Sequence, residues 1–403
     1  MTTERVDLLD ALRGVALVGI LAANLLVFAG VVFLDPEVRD AMPLAKVDAA
    51  VRWLQAIFIE GKFYGLFSLL LGMGAAMQLG DGRDGRSRRF RRRMLVLAAI
   101  GLVHSVIWNG DILLFYAMLG LFLPSCLRLG NRQLLQVGFG LFAVAAAWQY
   151  FLFGGITALG LPAGWPFTLG WQYLEPHYPA WDAALARGDL PMMLRYNLTG
   201  IWADRWPGLL STGRQFKVFG FFLLGMWAVR TNIPAAVGAH RALVQRVARW
   251  GVAIGVPTGV LFAAGRFLGM DGWLGAVHPI IESVTIVSLT LGYAACFALA
   301  WDRWTPRVLQ LFQPLGRMAL TIYLMQTLIC IASLTGMGLG WYMRIGATAA
   351  TALTLPVIAL QLLFAHWWLA RYHFGPMEWL WRSLTLGVRQ PMRRSYAQQV
   401  RAE

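Results

Sequence analysis

The sequence predicts an all-α fold: a polytopic transmembrane helix bundle of about ten spans with interfacial helices. Three observations carry this. Of 403 residues, 58% are hydrophobic and only 14% charged, whereas soluble domains carry roughly 45–50% apolar and about 25% charged residues. Mean hydropathy is +0.58. Apolar runs of about 20 residues, each enough to cross a bilayer, recur along the whole chain. A water-soluble enzyme, a disordered chain and a fibre are thereby excluded. A β-barrel would instead alternate in segments of roughly 10 residues.

The spans fall at 10–33, 54–80, 94–109, 111–128, 133–154, 213–230, 247–268, 275–301, 314–336 and 346–370. The third and fourth share only Trp108-Asn109-Gly110-Asp111 and form a tight hairpin. This divides the chain into a five-helix half (1–154), an extracytoplasmic segment (155–212), a second five-helix half (213–370) and a tail (371–403). No small-x-small cleavage site follows the first apolar run, so a cleaved leader is not expected.

Orientation follows from the arginines. The loop 81–93 reads DGRDGRSRRFRRR, and further basic residues gather at 230–249, 302–317 and after 370. All fall on one face, which the positive-inside rule makes cytoplasmic together with both termini. The net charge of +15 then reflects topology and contact with anionic lipid, not nucleic acid. Segment 155–212 carries Trp165, Trp171, Tyr173, Trp181, Tyr196, Trp202 and Trp206. Such aromatic stretches lie at headgroup level, as anchors or as a lid. In the tail, Pro376 opens a short helix that Trp379 and Trp381 would anchor at the inner interface. Cys126, Cys296 and Cys330 lie in apolar stretches without metal spacing and read as small core residues. No metal site, P-loop or nucleophile-elbow motif is present.

Ionisable side chains inside spans are costly and mark candidate sites. At about 1.5 Å of rise per residue, Asn24, Glu60, Lys62, His104, Asp111, Arg214, Lys217, His278 and Glu282 fall at mid to outer depth. They predict one shared polar chamber opening outward, although structural pairing, a helix cap at Asp111 and an i,i+4 pair at His278–Glu282 are the plainer alternatives. A second set, Asp10, Arg13, Arg317, Thr321, Tyr323 and Gln326, with Glu378 and Arg382, gathers near the inner face. There it either cradles the phosphates of a cytosolic ligand or closes the bundle through an Asp10–Arg317 salt bridge. Gly61 and Gly65 stand in small-xxx-small register for close helix packing.

Five blocks in order resemble the YeiB family of bacterial inner-membrane proteins: Arg5-Val-Asp-Leu-Leu-Asp10-Ala-Leu-Arg13-Gly14 with Asn24; Glu60-Gly-Lys62-Phe-Tyr-Gly-Leu-Phe67-Ser68; His104 with Gly110-Asp111-Ile112-Leu113 and Tyr116; Gly316-Arg317-Met-Ala-Leu-Thr321-Ile-Tyr323-Leu-Met-Gln326; and Phe374-Gly-Pro376-Met-Glu378-Trp-Leu-Trp381-Arg382. That family is more remotely similar to transmembrane acyltransferases, among them heparan-α-glucosaminide N-acetyltransferase. The resemblance rests on Asp10, Arg13, Gly14 and Asn24. It implies acyl transfer from cytosolic acyl-CoA to a hydroxyl or amine at the membrane or its outer face. The relatives' catalytic His has no counterpart in the first span or the loop after it, so His104 takes that place as general base. Glu60 or Asp111 would orient the ring. Lys62 or Asn24 would stabilise the oxyanion, with Arg214, Lys217 and Glu282 around the acceptor. Asp10, Arg13, Arg317, Thr321, Tyr323 and Gln326 would hold the acyl-CoA. The expected partners are membrane lipids and a lipid or small-molecule acceptor; nucleic acid is not one, and a homodimer is compatible. Proton-coupled transport of a small metabolite or lipid, through Glu60, His104 and Asp111, is the alternative, and a non-catalytic scaffold the third reading.

Overall fold

The computed structural model describes residues 7–82, 85–153, 155, 159–269, 272–303 and 306–393. Arg5 of the opening motif, Arg83 of the basic loop and Arg394 and Arg401 of the tail lie outside them. Among the described residues the helices are α1 (Asp7–Phe28), α2 (Pro36–Asp40), α3 (Ala45–Phe58), α4 (Lys62–Leu79), α5 (Arg86–Ile107), α6 (Leu113–Gly120), α7 (Asn131–Phe153), α8 (Thr168–Leu174), α9 (Tyr178–Arg187), α10 (Leu190–Gly200), α11 (Trp206–Ser211), α12 (Arg214–Arg230), α13 (Arg241–Leu268), α14 (Gly272–Arg303), α15 (Pro306–Gln310), α16 (Gln313–Arg317), α17 (Ala319–Leu334), α18 (Ala347–Ala352), α19 (Thr354–Arg371) and α20 (Pro376–Leu386).

Six stretches among the described residues are long and apolar enough to cross a membrane: Asp7–Phe28, Ala45–Leu79, Asn131–Phe153, Arg241–Leu268, Val277–Trp301 and Ala347–Arg371. A seventh is the pair Val308–Arg317 and Ala319–Leu334, bent by 85°. The other three expected spans correspond to α5, α6 and α12, which fall short of that test. The first turns of α5 are crowded with arginine. α6 has 8 residues and gives way to a 3-10 turn over Leu123–Arg128. α12 has 17 and opens on Arg214 and Lys217. The stretch Ala45–Leu79 is interrupted between α3 and α4, where Gly61 adopts φ +81°, a conformation glycine takes without strain.

Helix α1 sits at the centre, with Ala16, Leu17, Leu21 and Leu25 fully buried, and packs on α4, α16, α17 and α19. At the α1–α16 crossing Gly14 faces the Phe312 carbonyl and Gly316 faces the Asp10 carbonyl, so neither position has room for a Cβ. Close backbone approach of this kind is how helices associate where lipid offers no hydrophobic drive. Gly72 of α4 against the Phe222 backbone, Gly225 against the Leu69 carbonyl, and Gly251 against Gly292 repeat the device. By contrast α13 and the α18–α19 stretch bury only 28% of their apolar windows, which leaves outward apolar faces suited to lipid. Cys330 is buried and Cys126 half-buried, but Cys296, expected in the core, is exposed. A small side chain on an outward face costs nothing there.

Helices α8–α11 cover one end of the bundle, as the Trp- and Pro-rich sequence predicts. Trp181 stacks on Tyr196 at 4.6 Å. The Tyr342 hydroxyl donates to Asp182 at 2.6 Å, and the Asn197 amide donates to the last carbonyls of α5, Val106 at 3.1 Å and Ile107 at 2.9 Å. At the opposite, arginine-rich end α20 lies on α5. There the Trp381 indole donates to the Arg93 carbonyl at 2.8 Å and the Arg93 guanidinium stacks on it at 3.8 Å.

Candidate functional site

The hairpin between α5 and α6 brings His104 and Asp111 together. Asp111 Oδ2 accepts from the Leu114 N–H at 2.9 Å, capping α6, and Oδ1 accepts from His104 Nδ1 at 2.7 Å. A carboxylate can only accept, so the Nδ1 proton belongs to the imidazole, and in the neutral ring Nε2 is the acceptor. Nε2 takes the Thr327 hydroxyl of α17 at 3.0 Å. All three residues are buried, with exposures of 3%, 3% and 1%. The result is a carboxylate–imidazole–hydroxyl line sealed inside the bundle. The Tyr323 ring meets the imidazole edge-on at 5.2 Å and Trp108 does so at 6.0 Å.

The hairpin is held from the far-end cover. Arg205 Nε donates to the Asp111 carbonyl at 3.0 Å and Nη2 to the Gly110 carbonyl at 2.7 Å. Next to it, the Asn109 amide donates to Asp204 at 3.1 Å. Arg205 ends a π-helical turn over Ile201–Arg205, a distortion that often accompanies functional positions.

A cavity of about 300 Å³ leads from the arginine-rich end toward this line. Arg13, Arg93, Arg317 and Arg382, with Asp10 and Glu378, line its polar part; Leu70, Met94 and Leu97 line its apolar part; Ile112, Tyr116 and Tyr323 line it nearest the hairpin. Four guanidiniums against two carboxylates leave it net positive. Arg13 donates to Asp10 at 2.8 Å, so the Asp10 pairing within α1 replaces the expected Asp10–Arg317 bridge.

Of the six residues expected around a bound phosphate, Asp10, Arg13, Arg317 and Tyr323 line the cavity. Thr321 and Gln326 do not, because their side chains are committed elsewhere. Gln326 donates to the Leu17 carbonyl at 3.3 Å and to Gln361 at 3.2 Å, tying α17 to α1 and α19. The Thr321 hydroxyl donates to Glu378 at 2.6 Å, and the same carboxylate accepts from the Leu320 and Thr321 N–H groups at 2.6 and 3.1 Å. Glu378 thus caps α17 just past the 85° bend.

Burial pushes the Glu378 carboxyl, on α20 outside the spanning stretches, above its ordinary value of 4.5; the bonds from Thr321 and Leu320 pull it back only in part. The folded chain therefore holds this proton more tightly than the unfolded chain. That stabilisation is complete below pH 4.5 and is lost as pH rises through the folded value. Glu378→Gln cannot titrate. Melting curves of detergent-solubilised protein between about pH 4 and 7 are expected to show a shallower fall in Tm for the variant. Parallel curves would remove Glu378 as the source.

The remaining expected residues do not join His104. Glu60 ion-pairs with Arg266, so Asp111 alone orients the imidazole. Lys62, fully buried, donates to the Ala56 carbonyl at 2.5 Å and lies 5.4 Å from the Phe262 ring. Lys217 pairs with Glu282 at 3.2 Å, and Gln149 donates to the same carboxylate at 3.0 Å. Arg214 stacks over Tyr64 at 4.6 Å. His278, expected beside Glu282, bonds the Phe262 carbonyl at 3.3 Å and stacks on its ring. Asn24 is half-buried and is absent from the lining of the cavity. In place of the single shared chamber, the polar groups pair with separate neighbours: Glu60 with Arg266, Lys62 with the Ala56 carbonyl, Lys217 with Glu282 and His104 with Asp111. Thr327, Arg205 and Arg93 were not foreseen. An uncharged hydroxyl in an apolar run carries no signal, and an arginine outside the spans or at a helix start reads as topology.

A helix bundle with lipid-type outer faces and a sealed polar line beside an arginine-rich cavity defines a polytopic membrane protein built around an internal polar site. The chain belongs to the YeiB family. It is 30% identical to the uncharacterised protein YeiB of Escherichia coli over 96% of this chain and 98% of that one. Uncharacterised YxaH of Bacillus subtilis is 28% identical over 97% of each chain, and an uncharacterised 39.9 kDa protein from the amylase 3' region of Bacillus acidopullulyticus is 27% identical over 96% of each. Residues 228–388 match the family model described as protein of unknown function, DUF418. No solved structure matches.

Proposed function

We propose that this chain is an acyltransferase of the bacterial inner membrane, crossing it ten times with both termini in the cytoplasm, that moves an acyl group from cytosolic acyl-CoA to a hydroxyl or amine acceptor. The observation that carries this reading is one cavity with arginines at one end and the Tyr323 wall of the His104–Asp111 line at the other. The arginines of loop 81–93 support a cytoplasmic location for the arginine-rich end, in line with the positive-inside rule.

Arg13, Arg93, Arg317 and Arg382 offer forked donors suited to the nucleotide phosphates. The apolar stretch past Leu70, Met94 and Leu97 suits the pantetheine arm. With Tyr323 turned aside, the thioester reaches Nε2 of His104, where the Thr327 hydroxyl marks the position of an acceptor hydroxyl. Nε2 takes the acceptor's proton, the acceptor oxygen or nitrogen bonds to the thioester carbon, the C–S bond breaks, and the imidazolium returns the proton to the thiolate. Asp111 fixes the reactive tautomer and balances the transient imidazolium, the division of labour seen in serine hydrolases. Lys62, bonded to the Ala56 carbonyl, and Asn24, away from the cavity lining, take no part in stabilising the oxyanion.

Calorimetric titration of acetyl-CoA and a longer acyl-CoA into purified protein tests this directly. Saturable binding is expected, weakened about tenfold by Arg317→Gln, the usual worth of a charge-assisted contact. A wild-type protein with no measurable affinity for either would overturn it. Proton-coupled transport is the second reading, favoured by charges that acyl transfer leaves unused, the buried Lys62 and Lys217 and the partly exposed Glu282 paired with Lys217. Flux into proteoliposomes driven by a pH gradient without acyl-CoA would favour it.

A further inference from the structure

At the end of the bundle away from the basic loop lies a second cavity, of about 280 Å³, lined by Arg39, Arg52, Arg266, Glu60, Phe267 and Leu26 among others. We propose that it binds a phosphate group. Three guanidiniums converge there against one carboxylate, and that carboxylate is taken by Arg266. Arg39 leans on Asp40 at 3.3 Å, but Asp40 is 72% exposed, and such a screened pair is worth little. Arg52 Nε is shut from solvent without a hydrogen-bond partner. Leaving a charged donor so placed is costly until something accepts from it.

The side chains are already ordered. Arg52 stacks over Phe267 at 4.9 Å and Arg266 over the same ring at 5.6 Å. Two guanidiniums fixed on one ring form a prearranged fork pair, and such forks match phosphate oxygens. Leu26 and Phe267 add an apolar wall suited to the carbon side of a phosphate ester. A phospholipid headgroup and a soluble phosphorylated molecule share this chemistry. The site uses none of the residues proposed for acyl transfer, so it stands or falls separately.

The test uses full-length protein in phosphate-free maltoside detergent. The probes are inorganic phosphate and short-chain phosphatidylglycerol, with chloride at matched ionic strength and diacylglycerol as controls. Trp53, 5.7 Å from the Phe267 ring, gives an optical readout beside the Tm. Saturable stabilisation by at least one probe is expected. Arg52→Gln and Arg39→Gln should each weaken it at least about tenfold, whereas Arg389→Gln at the other end should not. Response to inorganic phosphate as well as lipid assigns a soluble source; response to phosphatidylglycerol alone assigns the headgroup. No response in wild type, or Arg39→Gln and Arg52→Gln responding as wild type does, overturns the proposal. Should Arg52→Gln fail to fold, Arg39→Gln decides, since α2 buries no residue.

Discussion

His104→Ala is expected to slow acyl transfer by about 10²–10⁴-fold, the usual contribution of a general base, while acyl-CoA affinity stays within about twofold of wild type because the imidazole takes no part in ground-state binding. The reasoning is geometric. Nε2 is the ring nitrogen positioned to accept a proton once an acceptor takes the place of the Thr327 hydroxyl, since Nδ1 is committed to Asp111 at 2.7 Å. Asp111→Asn presents an amide where the carboxylate stood and favours the opposite tautomer, so it should cost about as much without removing the ring. Release of CoA thiol from acyl-CoA, followed with hydroxylamine as surrogate acceptor, reads the rate; calorimetry reads the affinity. A His104→Ala protein that keeps the wild-type rate takes His104 out of the reaction. One that loses rate and affinity together points to collapse of the cavity wall at Tyr323.

Glu282→Gln should produce the largest loss of stability, about 3–5 kcal/mol, because it strands the Lys217 ammonium inside the bundle. Lys217 is 1% exposed, and Glu282 is its ion-pair partner at 3.2 Å. Replacing both partners, as Lys217→Met with Glu282→Gln, removes the stranded charge and should recover most of that loss. The unfolding midpoint in detergent, measured on both single variants and the double, completes the cycle. If the double variant is as unstable as Glu282→Gln, the pair is not what holds α12 against α14. If it is stable yet has lost acyl transfer, the pair belongs to the acceptor's path.

The class of fold was legible because hydropathy averages over whole helices. Boundaries were legible only where the chain is regular: the stretch read as 54–80 breaks at Gly61, and the stretch read as 314–336 turns through 85° after Arg317. Half of the candidate site was also legible. His104 lies in the last turn of α5 and Asp111 closes the four-residue turn that follows, close enough in sequence that the hairpin brings them together. Glu60 was grouped with them wrongly for a definable reason. Rise per residue fixes the depth of a side chain, but each residue also turns the helix by about 100°, and only packing decides which neighbour it meets. Thr327 reaches His104 from 223 positions away, and no local pattern marks it. Arg205 sits in a segment that reads as a surface anchor by composition. Its partners are backbone carbonyls, which leave no trace in a sequence.

Those two carbonyls have a mechanical consequence. A guanidinium gripping consecutive peptide oxygens, Gly110 and Asp111, works like a clasp between the α8–α11 cover and the turn that carries the carboxylate. If α8–α11 are pushed aside, either the clasp opens or the turn travels with them, so displacement of the cover is coupled to the turn that holds the carboxylate partner of His104.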